Sequence, residues 1–385
     1  MNFGKDAVGR VTKAFEENFT SRGEVGAGVS IWQGETEILS LAGGVTDRAT
    51  NQPWQRDTLV LIWSATKGLA SATVLHALEN SGQILDTPVA EIWPTFGYNG
   101  KEEITFRQVL SHQSGLSALD SRTLSILEHE NVIHAIEQQQ PRWEPGHGHG
   151  YGPRTYGFIV DEIVRRLSGM SLGEYWRKEF GDPLELDTWI GLPAEYHDRV
   201  ARILAPRVTG CDDGRNPFLE AMADPQSLTF AAFVSPAGFS SITAMNSPAT
   251  RGASIPSMGG ISSASSLAKF YAMLANGGKW NGKNYFKERT LAEMQHIIVQ
   301  GTDKVLCMET AFSAGFMKDP LDAAGQKQRQ HFGPSLSAFG HPGAGGSLAF
   351  ADPENSIGFS YVMNQMETGV LPGGKALNLV KAWYR

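Results

Sequence analysis

At 385 residues, the chain favours two or three domains on the usual size of about 150 residues each. Its 33 basic and 40 acidic residues leave a net charge of −7, a poor electrostatic match for nucleic acid or an anionic membrane. With 41% hydrophobic and 19% charged residues it can bury a sizeable core, which excludes global disorder. The 43 glycines follow no G-X-Y period, which excludes collagen and points instead to many tight turns and close backbone approaches. Cys211 and Cys307 are too few for a disulfide scaffold or a four-thiolate zinc site and read as buried or half-buried thiols.

The N-terminal stretch Met1 to Phe19 has no long apolar run, being interrupted by Asp6, Glu16 and Glu17. This argues against a secretory signal and for a cytoplasmic location, although a signal already removed stays open. No run of about 18 apolar residues exists to span a membrane. Within that stretch, Val8, Val11 and Phe15 recur at helical spacing and predict an amphipathic helix over Asp6 to Asn18. Val29–Trp32 and Ile38–Ala42, separated by the polar Gln33–Glu37, predict a hairpin. Helical spacing then dominates at Lys67–Leu78, Phe106–Ser111, Arg154–Leu167, Leu172–Phe180 and Ser265–Ala275, the last ended by Gly277–Gly278. Pro206–Pro256 reads as an ordered excursion, because Phe218, Phe230, Phe233 and Phe239 need burial. Ser347–Ala351 and Gly358–Met363 predict strands around an Asp352–Pro353 turn, and Lys375–Tyr384 a closing helix.

This order predicts an α/β fold of the α+β type, an antiparallel sheet flanked by helices plus an all-helical domain. The expected boundaries are 1–60 with 290–385 for the discontinuous α/β domain, and 61–289 for the mainly helical one.

Chemistry concentrates first in Leu61-Ile62-Trp63-Ser64-Ala65-Thr66-Lys67-Gly68. A serine and a lysine three apart on a helix share a face, with Cβ atoms about 5–6 Å apart. Desolvation disfavours the charged lysine, and a neutral amine can take a serine proton. The apolar run Leu59–Trp63 places Ser64 at a helix N-terminus, where free backbone N–H groups can meet an oxyanion. A chance Ser-x-x-Lys is common, so the reading depends on context.

Ser64-Ala65-Thr66-Lys67 resembles the active-site tetrad of the penicillin-recognising serine hydrolases, which include class C β-lactamases, DD-peptidases and family VIII carboxylesterases. In the same order, Leu110-Ser111-His112-Gln113-Ser114-Gly115-Leu116 resembles the loop between the first two motifs. Trp143-Glu144-Pro145-Gly146 followed by Tyr151 resembles the run to the second motif. Phe339-Gly340-His341-Pro342-Gly343-Ala344-Gly345-Gly346 resembles the third, on a strand edging the cleft. The resemblance implies Tyr151 as the partner of Lys67, its phenolate favoured or its proton shared beside the lysine. Tyr156 is the competitor, but its helical position favours packing, whereas Arg154 and Thr155 either cap that helix or contact the site. By the same mapping the backbone N–H groups of Ser64 and Ala344 form the oxyanion hole, with Gly343 at the substrate and His341 beside the leaving group.

Two departures carry chemical content. Pro153 stands where the family's β-lactamases commonly carry an asparagine, and His341-Pro342-Gly343 where they carry Lys-Thr-Gly or Lys-Ser-Gly. Proline offers no side-chain donor and histidine is mostly neutral at pH 7. The expected activity is therefore a serine hydrolase cleaving neutral carboxylic esters of small molecules, closest to family VIII carboxylesterases, without a cofactor or metal. A β-lactamase or D-amino-acid amidase, an acyltransferase of the same fold and a non-catalytic binding protein are the alternatives. His147 and His149, two apart, pose a metal question, and a loop flanking Tyr151 answers it better. Gly169-Met170-Ser171-Leu172-Gly173 matches the α/β-hydrolase pentapeptide, but a helix precedes it, so Ser171 reads as a cap. Trp54, Trp63 and Trp93 read as core rather than pocket.

Overall fold

The computed structural model describes residues 5–206 and 216–385, so Cys211 lies outside the described residues. An eight-stranded antiparallel sheet forms its centre. In chain order its strands are β1 (Gly26–Gln33), β2 (Thr36–Gly44), β3 (Val299–Thr302), β4 (Glu309–Phe312), β5 (Met317–Lys318), β6 (Phe339–Pro342), β7 (Leu348–Asp352) and β8 (Ile357–Met363). Across the sheet they run β2-β1-β8-β7-β6-β5-β4-β3. The predicted hairpin is β1–β2, with Val29 opposite both Leu41 and Tyr361. The short strands β3, β4 and β5, grouped at one end of the sheet, escaped the sequence reading.

Every residue of β7 and β8 is buried, because both faces of the sheet are covered. Strand alternation sorts the two faces. Leu348, Phe350, Phe359 and Tyr361 join one apolar cluster with Val11 and Phe15 of α1 (Lys5–Ser21) and Leu379 and Trp383 of the last helix, Gly374–Tyr384. Ala349, Ala351 and Val362 join the other cluster, with Leu267 and Tyr271 of the helix Ala264–Ala275. That helix lies so close that a Cβ on Gly358 would stand 2.2 Å from the Ala272 nitrogen and 2.3 Å from the Ala268 carbonyl oxygen. It falls within residues 61–289, yet it packs on the sheet, and we propose that the domain boundary lies just ahead of it.

The helical layer is built around α2 (Thr66–Asn80), which is buried along nearly its whole length. A helix buried on all sides need not be amphipathic, and α2 is made largely of Ala, Leu, Val, Ser and Thr. It packs against α3 (Thr155–Ser168) and the short helix Leu172–Trp176. A small three-stranded sheet joins Val60–Leu61, Gly260–Ser262 and Thr188–Ile190, leading the chain into the first turn of α2. In the excursion, Phe218 and Phe239 are buried, while Phe230 and Phe233 are half-buried. Trp54, Trp63 and Trp93 are core residues. Cys307 is a free, half-buried thiol. None of the described helices is long and apolar enough to cross a membrane.

Candidate active site

The apolar strand Val60–Leu61 runs into a 3₁₀ turn, Trp63–Ala65, which feeds directly into α2. Trp63 adopts a left-handed φ of 51°, unusual for a bulky residue, and this sharp turn presents Ser64 half-buried at the start of the helix. One turn on, Lys67 is fully buried. Its Nζ donates to the carbonyls of Pro153 at 3.0 Å and Ser257 at 2.8 Å, and lies 4.7 Å from the centre of the Tyr151 ring. Burial without a carboxylate partner pushes this amine well below the ordinary lysine range.

Tyr151 is 3% exposed and hydrogen-bonds the Ser64 side chain. Its ring stacks 6.2 Å from Phe312 and meets the His112 ring edge-on at 5.0 Å. Sequence reasoning expected the lysine to favour the phenolate or to share a proton with it. Burial acts on both groups in the opposite sense: it raises the phenol above its ordinary value, with the hydrogen bond to Ser64 only partly offsetting it. Burial therefore favours the neutral form of both the amine and the phenol.

His341, on β6, is 1% exposed, and its ring lies 5.9 Å from that of Tyr151. Its Nδ1 donates to the Pro342 carbonyl at 2.8 Å, which leaves Nε2 as an acceptor, buried and without a protein partner. Burial, and then the nearby Lys67, push the imidazole down to about 3. Beyond His341, β6 passes the turn that carries Ser64 closely, since a Cβ on Gly343 would stand 2.2 Å from the Ile62 carbonyl oxygen. Ala344 then opens a 3₁₀ turn completed by Gly345 and Gly346, both at positive φ.

The remaining expected residues separate clearly. The Tyr156 hydroxyl pairs with Ser71 Oγ at 2.7 Å, so it packs as read. Thr155 Oγ1 donates to the Leu116 carbonyl, and Arg154 to those of Pro236 and Gly238, so both brace neighbouring loops. His147 is exposed beside Glu144, whereas His149 is buried with Nε2 2.7 Å from Thr310 Oγ1, so the two do not converge. Ser171 caps Leu172–Trp176 in a capping box with Glu174.

Two residues that hold Tyr151 in place lack a role in the sequence reading. Asp303 is fully buried and accepts the Tyr151 N–H at 3.1 Å on both oxygens. It also accepts the N–H groups of Val305 and Leu306 at 2.8 Å and the Thr310 hydroxyl at 3.3 Å. His112, quoted in the motif loop but given no task, has φ 61° and grips either side of Tyr151. Its carbonyl accepts from Gly150 N at 3.0 Å and its Nδ1 from Gly152 N at 3.2 Å. The polar turn Thr302-Asp303-Lys304 before Val305-Leu306 is the only signal that hinted at Asp303, as an aspartate bonding the amides that follow it.

Residues 11–381 match the Beta-lactamase family. The chain is 30% identical over 367 residues to Esterase/beta-lactamase LipL of Mycobacterium tuberculosis (strain ATCC 25618 / H37Rv), covering 92% of this chain and 81% of LipL. A penicillin-binding protein homologue from Caulobacter crescentus superposes with a TM-score of 0.87 at 32% identity, over 100% of this chain and 98% of that one. A family VIII carboxylesterase superposes with a TM-score of 0.86 at 31% identity, over 100% and 99%. With the family match spanning almost the whole sequence, the chain belongs to the Beta-lactamase family and is a serine hydrolase of that fold.

Proposed function

We propose that the chain is a carboxylesterase that acts through an acyl-enzyme on Ser64. A neutral amine has two N–H groups and one lone pair. The carbonyls of Pro153 and Ser257 engage both N–H groups of Lys67, which leaves its lone pair to receive a proton. As Ser64 Oγ attacks the ester carbonyl, its proton passes to Lys67, with the Tyr151 hydroxyl, already bonded to Ser64, as relay. The backbone N–H groups of Ser64 and Ala344, each at the start of a helical turn, stabilise the tetrahedral oxyanion. Tyr151 then donates its proton to the leaving alkoxide and is reprotonated from Lys67, with the neutral His341 beside it. Water then releases the acid by the same route in reverse.

The observation that carries the ester reading is the charge of the site. Burial disfavours the charged forms of Lys67, His112 and His341, and Pro153 offers no side-chain donor. These groups supply no cation to a substrate carboxylate, so a neutral ester fits them better than a carboxylate-bearing lactam or peptide. The name of the family VIII carboxylesterase supports the same class, and that of LipL carries esterase alongside beta-lactamase. Ser64→Ala should abolish hydrolysis of p-nitrophenyl butyrate in a folded protein, and full residual activity would overturn the assignment. A higher kcat/KM on nitrocefin than on p-nitrophenyl butyrate would reverse the choice between ester and lactam.

A further inference from the structure

The segment Ser257–Gly260 belongs to none of the family motifs, yet it touches the nucleophile turn on both sides. The Ser257 carbonyl accepts from Lys67 Nζ at 2.8 Å. Gly260 donates its N–H to Thr66 Oγ1 at 2.8 Å and accepts from Ile62 N at 2.9 Å. The Thr66 hydroxyl in turn donates to the carbonyl of Trp63, the residue held at positive φ next to Ser64. Ile62, Thr66 and Lys67 thus bracket Ser64, and each is bonded to one short strap. Ser257 and Thr66 are both fully buried, so water does not compete for these bonds.

Glycines let the strap wedge into this position. A Cβ on Gly157, in the first turn of α3, would stand 2.4 Å from Ser257 N and 2.8 Å from Ser257 Cβ. A Cβ on Gly260 would stand 2.6 Å from Thr66 Oγ1. The strap is therefore held between the first turns of α2 and α3, the two helices that carry Lys67 and follow Tyr151.

We infer that the Ser257–Gly260 strap is a positioning element that sets the spacing of Ser64 and Lys67, with Thr66 as its clasp and Gly157 as its seat. The inference rests on Ser64 being the nucleophile. A displacement of about 1 Å between reacting groups can cost on the order of 100-fold in rate, so small movements of the strap are legible in kinetics. Thr66→Val keeps the shape of the side chain but removes both hydroxyl bonds. In a folded variant its kcat on p-nitrophenyl butyrate should fall about 10-fold to 100-fold with KM little changed. The rate of Ser64 labelling by a fluorophosphonate, read by mass spectrometry, should fall in parallel. Thr66→Ser, which keeps the hydroxyl, should restore most of both rates.

Wild-type kcat and labelling rate in folded Thr66→Val would overturn the inference, and so would a Thr66→Ser variant no faster than Thr66→Val. Should Thr66→Val fail to fold, Gly157→Ala is read by the same two rates, and unchanged values there overturn it equally. Absence of probe on Ser64 in the wild-type enzyme would sink the nucleophile assignment itself, an outcome distinct from failure of the strap.

Discussion

Replacing Asp303 by alanine tests how far Tyr151, the proposed proton relay, depends on the carboxylate that holds its backbone. The side chain receives three backbone N–H groups, from Tyr151, Val305 and Leu306, and the Thr310 hydroxyl, all in a site closed to solvent. Each buried donor left without an acceptor costs about 1–3 kcal/mol. Three of them give roughly 3–9 kcal/mol, and water entering the space left by the carboxylate brings the expected loss to the lower half of that range. Such a loss is a large share of the usual 5–15 kcal/mol of total stability, so the variant should fold but unfold at a much lower urea concentration. With the Tyr151 amide released, the phenol loses its fixed distance to Ser64, and kcat/KM on p-nitrophenyl acetate should fall about 100-fold. Asp303→Asn should lie between, because an amide oxygen can still serve Val305 and Leu306 while the amide nitrogen donates to Thr310. Urea titration by intrinsic fluorescence and initial rates at matched folded fractions measure the two effects separately. Wild-type kcat/KM in folded Asp303→Ala would refute the reasoning, reducing Asp303 to a support of the fold.

Further predictions concern the same neighbourhood. Lys67 must be neutral to accept a proton, so kcat/KM should fall as pH drops through its lowered pKa. His341, titrating near 3, should add no limb at neutral pH, and a rate constant that climbs only as pH approaches the ordinary lysine value of 10.5 would contradict the burial argument. Gly343→Ala places a methyl 2.2 Å from the Ile62 carbonyl oxygen. Overpacking of this kind costs about 1–3 kcal/mol, and by driving β6 from the nucleophile turn it should cut kcat/KM by at least about 100-fold, measured on the same ester. Ser171→Ala removes a helix cap worth about 1 kcal/mol in thermal or urea unfolding, and esterase turnover should be unchanged. Loss of turnover in that variant would point to Ser171 as the nucleophile.

Much of the fold was legible because local periodicity mirrors burial. The strands β7 and β8 lie within a residue of the apolar runs that predict them, and α2 begins one residue before the predicted Lys67. The short strands β3, β4 and β5 were not legible, since two to four residues carry too little alternation to stand out from a loop. The helix Ala264–Ala275 was read correctly as a helix, but its seat on the sheet depends on Gly358 admitting it, and no local pattern states which layer a helix joins.

In the site, sequence alone singled out the side chains proposed to be catalytic, because Ser64, Lys67, Tyr151 and His341 stand in motifs whose internal spacing is short. The protonation states were a matter of tertiary structure. A lysine beside a tyrosine can yield an ion pair in water or two neutral groups in a dry pocket, and full burial of both favours the neutral pair. The supporting contacts were likewise beyond local reading. Asp303 meets an amide 152 positions earlier in the chain, and Ser257 meets an amine 190 positions away. Ser257 has no partner within its own segment that would mark it and Asp303 only the amides of Val305 and Leu306, so sequence singled out the groups proposed to react, and the fold decided how they are held and how burial shifts their charge.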